Sequence, residues 1–174
     1  MNYAPLVISV LALLFAVISF WWMNWRIGRL IVGAPRSYAA IGSLDEQMVL
    51  EFPFVFFNDG PMPIIVQNLR IVFSNETQSH PLGFTATVKR LGRDEDRSVA
   101  TQFPVRGREA LYLICEFQRE PGSMLFAVGS YPVELHAQLG NETRWKSICH
   151  FTIDVSAQDL RSINKAFIVH DNAA

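Results

Sequence analysis

Four histidines, two cysteines and one acidic run are the residues of this chain whose types could carry chemistry. His136 and His150 fall on neighbouring predicted strands and point outward, so they share a surface. His80 sits in a loop and His170 close to the end of the chain. Two histidines with no nearby carboxylate or thiolate make an incomplete metal site. Cys115 and Cys149 point inward and read as buried reduced thiols that pack as small apolar groups; an oxidising compartment would instead allow one bridge. The run Asp94-Glu95-Asp96 lacks the spaced ligands of a calcium loop and is flanked by Arg93 and Arg97, which makes it a solvated hairpin tip. A nucleophile needs a base and an oxyanion donor. Gly122-Ser123 and Gly129-Ser130 have no histidine in local sequence, and no Gly-x-Ser-x-Gly elbow occurs. There is no phosphate loop, dinucleotide fingerprint or zinc helix. The expectation is a chain without catalytic, cofactor-binding or metal-binding residues: not an enzyme. A formal net charge of −1 also argues against a nucleic-acid surface.

What positions the chain is its first segment. Ala4 to Trp25 reads APLVISVLALLFAVISFWWMNW and contains no charge. As a helix at about 1.5 Å per residue this spans roughly 30 Å, the thickness of bilayer hydrocarbon. Lipid cannot satisfy open backbone groups, so a lone segment at that depth must be helical. Trp21, Trp22 and Trp25 form an aromatic cluster where the interface falls, and Tyr3 marks the other end. A signal peptide would carry a basic leader and a small-residue cleavage site; here Trp, Met and Trp follow the apolar core. A helix buried in a soluble core would show a polar face, and this one has none. The basic residues Arg26, Arg29 and Arg36 follow the segment, which favours a cytoplasmic C-terminal domain on a single-pass protein of the cell (inner) membrane. Arg26 and Arg29 could also touch anionic headgroups, but setting orientation already explains them, and three basic residues fall short of a lipid-specific cluster. The sequons at Asn75-Glu76-Thr77 and Asn141-Glu142-Thr143 read as turns.

Behind the anchor, alternation of apolar and polar residues between turn signals predicts eight strands. They are 29–41, broken at Pro35; 47–58; 64–73; 84–91; 98–105; 109–117; 131–139; and 145–155. The expected inward sets include Leu50, Phe52, Phe54 and Phe56; Leu69, Ile71 and Phe73; Leu111, Leu113, Cys115 and Phe117; Val133, Leu135, Ala137 and Leu139; and Trp145, Cys149, Phe151, Ile153 and Val155. Pro53 inside the second strand implies an edge or a bulge. The last two strands form a hairpin over Gly140 to Thr143. Ser156 caps a short helix with Leu160, Ile163 and Phe167 on one side, and Ile168 to His170 add an edge strand. The fold class is therefore mainly β: an N-terminal transmembrane helix, an antiparallel immunoglobulin-like Greek-key β-sandwich and a short C-terminal helix. A closed barrel is the alternative. The divisions are a tail at 1–4, the transmembrane helix at 5–25, a juxtamembrane segment and first strand at 26–46, the β-sandwich at 47–155, and the C-terminal helix and tail at 156–174.

Phe56-Phe57-Asn58-Asp59-Gly60, then Pro63 to Val66, then Leu69-Arg70-Ile71 resembles the strand, Asn-x-Gly, strand signature of LEA-14 (WHy)-like and related immunoglobulin-like sandwiches. Pro104 to Arg108 leading into Leu111 to Phe117 is similar to their middle strand, and Tyr131 to Leu135 with the final strand to their closing hairpin. With the anchor, the whole resembles small bacterial single-pass membrane proteins carrying one such domain. The resemblance covers most of residues 29–155 and implies an interaction or accessory module with no catalytic residue.

One feature exceeds what a plain domain requires. Strand 47–58 is apolar on both sides, with Val49, Val55 and Phe57 opposite the inward set, and Met124-Leu125-Phe126-Ala127-Val128 is apolar too. Exposed apolar patches mark interaction sites. Val55, Phe57, Met124, Leu125 and Phe126, with Leu160, Ile163 and Phe167 of the C-terminal helix, are the candidate partner surface. The membrane-anchor set is Trp21, Trp22, Trp25, Arg26 and Arg29. The expected function is a membrane-anchored, non-catalytic interaction module whose partner is another protein in or near the membrane. The alternatives are a structural subunit of a larger membrane complex and, last, an unrecognised hydrolase.

Overall fold

The computed structural model describes residues 3–42, 48–74, 81–92, 96–119, 126–163 and 167–172. Helix α1 runs Ala4–Asn24 and none of its residues is buried against the domain. It is long and apolar enough to cross a membrane. Pro5 sits in the first turn, where its missing N–H costs nothing. The polar side chains Ser9 and Asn24 turn back onto the carbonyls of Pro5 and Phe20, both at 2.8 Å, and so need no water.

Eleven strands follow among the described residues: β1 Leu30–Val32, β2 Ser37–Ile41, β3 Met48–Asn58, β4 Ile64–Phe73, β5 Leu82–Val88, β6 Ser98–Val99, β7 Phe103–Val105, β8 Ala110–Arg119, β9 Gly129–Leu139, β10 Lys146–Val155 and β11 Ile168–Asp171. A second helix, α2, spans Ala157–Ile163. All strand pairs are antiparallel and form one sheet in the order β10-β9-β4-β5-β8-β3-β2-β11, with β1 on β3, β6 on β5 and β7 on β4. The sheet curls until β10 faces β3 across the core, with the Phe151 ring 5.3 Å from Phe52 and 6.0 Å from Phe54. Tyr38 on β2 also reaches across, its hydroxyl donating to the Asp154 carbonyl at 3.4 Å. Among the described residues no pairing joins β10 to β11, so the curl stays open.

The core is the set that alternation implies. Leu50, Phe52, Phe54 and Phe56 of β3 are fully buried, as are Leu69, Ile71, Cys115, Phe117, Leu135, Ala137 and Ile153. Burying one such Phe or Leu contributes about 1.5–3 kcal/mol. On β4 the buried set changes phase, from Ile64 and Val66 to Leu69, Ile71 and Phe73, because the ladder with β9 shifts register between Val66 and Asn68.

Two expectations need correction. The segment 98–105 is not one strand: β6 pairs with β5 and β7 with β4, so this stretch passes between neighbours. Trp145 is half-buried outside the core with the Arg70 guanidinium 4.3 Å above its ring, since the β9–β10 ladder shifts between Ser147 and Cys149. Pro53 stands at a local edge of β3, as a strand proline implies, with its register to β8 unbroken. On its other side β1 pairs only as far as Phe56 and β2 only as far as Glu51, so a missing donor there is tolerated. Of the acidic run only Asp96 is described, and it is exposed; beside it Arg97 pairs with buried Glu116 at 2.5 Å, and the Gly92 amide donates to buried Glu51 at 2.7 Å. Two carboxylates directly opposite on β3 and β8 require such partners once covered. Asp94, Glu95, His80, both residues of Gly122-Ser123 and the sequon at 75–77 lie outside the described residues.

Candidate functional site: the anchor junction and the outer face beside it

The junction between α1 and the sheet is built on Asn58, the last residue of β3. Asn58 is fully buried, and its amide nitrogen donates to the Met62 carbonyl at 2.7 Å and the Val105 carbonyl at 3.2 Å. Its side-chain oxygen accepts from the Gly60 amide at 3.0 Å, the turn that an Asn-x-Gly sequence favours. Asp59 then holds the chain that leaves the helix: its carboxylate accepts from the Arg29 amide at 2.6 Å, and its carbonyl accepts from Arg26 at 2.8 Å. Gly28 and Gly60 meet backbone to backbone, and a Cβ on either would overlap the other residue. From a third segment, Arg108 donates to the Met23 carbonyl at 3.0 Å and caps the open end of α1. Arg26 stacks over Trp22 at 4.7 Å, so the last helical turn, the linker and the turn after β3 form one joined unit.

Beside this junction the outer face of the sheet is apolar. Phe57 pairs in register with Ile31 on β1 and Ala110 on β8, and Val55 with Tyr112. Their side chains therefore share one face. Phe57 is 39 % exposed, Val55 46 %, Ile31 52 % and Tyr112 58 %. Val55 and Phe57 were visible in the sequence, whereas Ile31 and Tyr112 are added by register. The other candidate partner residues fall elsewhere. Phe126 is buried at 7 % exposure against Phe73 and Tyr131, and Ile163 at 2 % belongs to the core, so both are occupied within this chain. Leu160 and Phe167 are half-buried, with Leu160 packed on the core. Met124 and Leu125 lie outside the described residues. Trp21, Trp22 and Trp25 are all exposed around the end of α1.

The histidines have partners, one of them a carboxylate two residues away on the same strand face. On the outer face of β4, β9 and β10, His136 lies 3.0 Å from Glu134 and Ser74 donates to the same carboxylate at 3.3 Å. A carboxylate thus stands between His136 and His150, where the sequence had suggested none. The hydrogen bond from His136 holds the Glu134 carboxyl below its usual range, against the opposing effect of burial. Ser147, His150 and Glu134 follow one another at 3.1 and 3.9 Å, the order of an acyl-transfer relay. The second gap is too long for a hydrogen bond and the His150 side chain is 70 % exposed, so Glu134 does not orient its ring as a relay requires. Among the described residues no three His, Cys, Asp or Glu side chains converge on a point that could hold a metal.

At the far end His170 lies on the edge strand β11. It is buried, stacked on Tyr38 at 5.2 Å, with Nδ1 2.9 Å from Asp159. Asp159 and Ser156 close a reciprocal cap on α2, the Ser156 amide donating to the carboxylate at 2.9 Å and the Asp159 amide to the hydroxyl at 3.2 Å. Burial works against the Asp159 carboxylate, but the bonds from Ser156 and His170 outweigh it and lower its pKa. Burial first, and then Asp159 and Asp154, push Tyr38 up to about 12. Cys115 and Cys149 are free and buried, and burial raises both thiols. No protein-family model and no curated protein matches this chain.

Proposed function

We propose that this chain is a single-pass membrane protein whose β domain is a non-catalytic interaction module, held at the bilayer surface for a protein partner in the same membrane. The observation that carries the reading is the apolar strip Ile31, Phe57, Val55 and Tyr112, which lies on the outer face next to the anchor junction. Such a strip costs solubility unless something covers it, and the junction keeps it close to the membrane. The arginines that follow α1 support a cytoplasmic domain at the inner membrane. The facing of β3 and β10 supports reading the curled sheet as an immunoglobulin-like Greek-key sandwich of the LEA-14 (WHy)-like kind.

The test is site-specific photocrosslinking from position 57 in intact membranes. The expected result is one discrete crosslinked product that disappears when Val55→Asp and Tyr112→Asp are introduced together, while an outward control at Thr152 yields none. Equal, diffuse labelling from positions 57 and 152 would overturn the reading.

A further inference from the structure

The structure assembles a basic rim around the end of α1 from segments far apart in sequence. The residues that leave the helix, the turn after β3 and the loop before β8 meet there through Gly28–Gly60, the Arg108 amide on the Gly60 carbonyl, and Arg108 on Met23. These segments carry Arg26, Arg29, Arg106 and Arg108 against Asp59 and Glu109. Arg26 is neutralised by Asp59, and Arg108 holds the helix end. Arg29 and Arg106 are exposed and make no ion pair among the described residues. The rim thus carries a net +2 on a chain whose formal net charge is −1.

The same rim bears exposed apolar side chains, Ile27 at 80 % and Met62 at 40 %. They border a cleft of about 580 Å³ lined also by Ile64, Ile65 and Ile148. Ile27 is three residues past α1, so it lies at most about 11 Å from the helix end. Cationic groups beside apolar ones at that height match a phospholipid interface, where phosphates meet acyl chains.

We propose that the anchor-proximal face of the domain docks on the headgroup layer of an anionic leaflet, with Arg29 and Arg106 on lipid phosphates and Ile27 and Met62 entering the interface. The proposal rests on α1 being a membrane anchor. It differs from the protein-partner strip, which lies on the side of the sheet.

The test uses the full chain with Met62→Cys, the native thiols being buried. It is reconstituted in phosphatidylcholine vesicles or in an equal mixture with phosphatidylglycerol, and an environment-sensitive fluorophore is attached at position 62. In the anionic vesicles the probe should be blue-shifted and shielded from an aqueous quencher; in the neutral ones it should be exposed. Raising salt to about 1 M, where the Debye length is about 3 Å, should release it. Arg29→Gln with Arg106→Gln should lower the docked-to-free ratio roughly 25-fold, about fivefold for each arginine. Equal exposure or equal shielding in both vesicles would overturn the docking while leaving the anchor intact. Failure of the chain to float with either vesicle would overturn the anchor, and the docking with it.

Discussion

At the scale of one residue, Asn58 joins three segments of the chain. Fully buried, it makes three hydrogen bonds that tie the ends of β3 and β7 to the turn between β3 and β4. Asn58→Ala leaves two carbonyls and an amide unpaired, and should cost about 3 kcal/mol at roughly 1 kcal/mol for each lost bond. Asn58→Asp should not rescue it, since a carboxylate cannot donate to Met62 and Val105. Denaturant titration of the full chain in detergent reads both; an Asn58→Ala loss under about 1 kcal/mol would show that the turn holds without these bonds. The cysteines make a second residue-scale case. With both thiols buried and their pKa raised, little thiolate is present at neutral pH. Maleimide should modify neither Cys115 nor Cys149 in the native chain and both after denaturation, counted by mass.

At the scale of the element, β3 separates two jobs on its two faces. Phe54 sits among Phe52, Phe56, Phe117 and Phe151, so Phe54→Ala should cost about 3–5 kcal/mol. Phe57, one residue past Phe56 on the open face, should tolerate Ser within about 0.5 kcal/mol, as exposed positions do. Parallel unfolding curves for the two variants decide this, and comparable losses would mean that Phe57 also packs within its own chain. The α2 and β11 pair carries a pH dependence. The Asp159 pKa is depressed below 3.8, so the carboxylate contributes stability above its unfolded value. That contribution disappears as the pH falls through the folded value. Asp159→Asn should therefore destabilise the chain near pH 6 and converge with the parent in strong acid. A constant difference across that range would assign the cap a role independent of charge.

For the whole molecule, three segments converge on the end of α1, through Arg26 on Asp59, Gly28 on Gly60 and Arg108 on Met23. The chain should remain with the membrane after an alkaline carbonate wash, and removal of residues 4–24 should release it. Gly28→Ala puts a methyl group into the backbone of Gly60 and should loosen the joint while leaving the far end of the sheet folded. Hydrogen exchange would show this as faster exchange confined to residues 26–30, 58–63 and 105–109. Protection lost evenly across the domain would instead make the junction part of the folding core.

The sequence by itself determined the features that repeat locally. Uninterrupted apolar character defines α1, because helical length and lipid solubility depend only on neighbouring residues. Period-two alternation placed Phe52, Phe54, Phe56, Leu69, Leu135 and Ile153 inside, because a strand presents alternate residues to alternate faces. It failed where a ladder slips: Trp145 left the core because a register shift resets the alternation, and only the partner strand sets that shift. Charge and contact across the sheet were equally hidden. Glu134 beside His150, Asp159 under His170, Arg97 on Glu116 and the four arginines around the end of α1 join residues from different segments of the chain. These neighbours are chosen by strand order, which no local pattern encodes, so only the tertiary structure decided which arginines gather at the end of α1 and which residues complete the apolar strip of Val55 and Phe57.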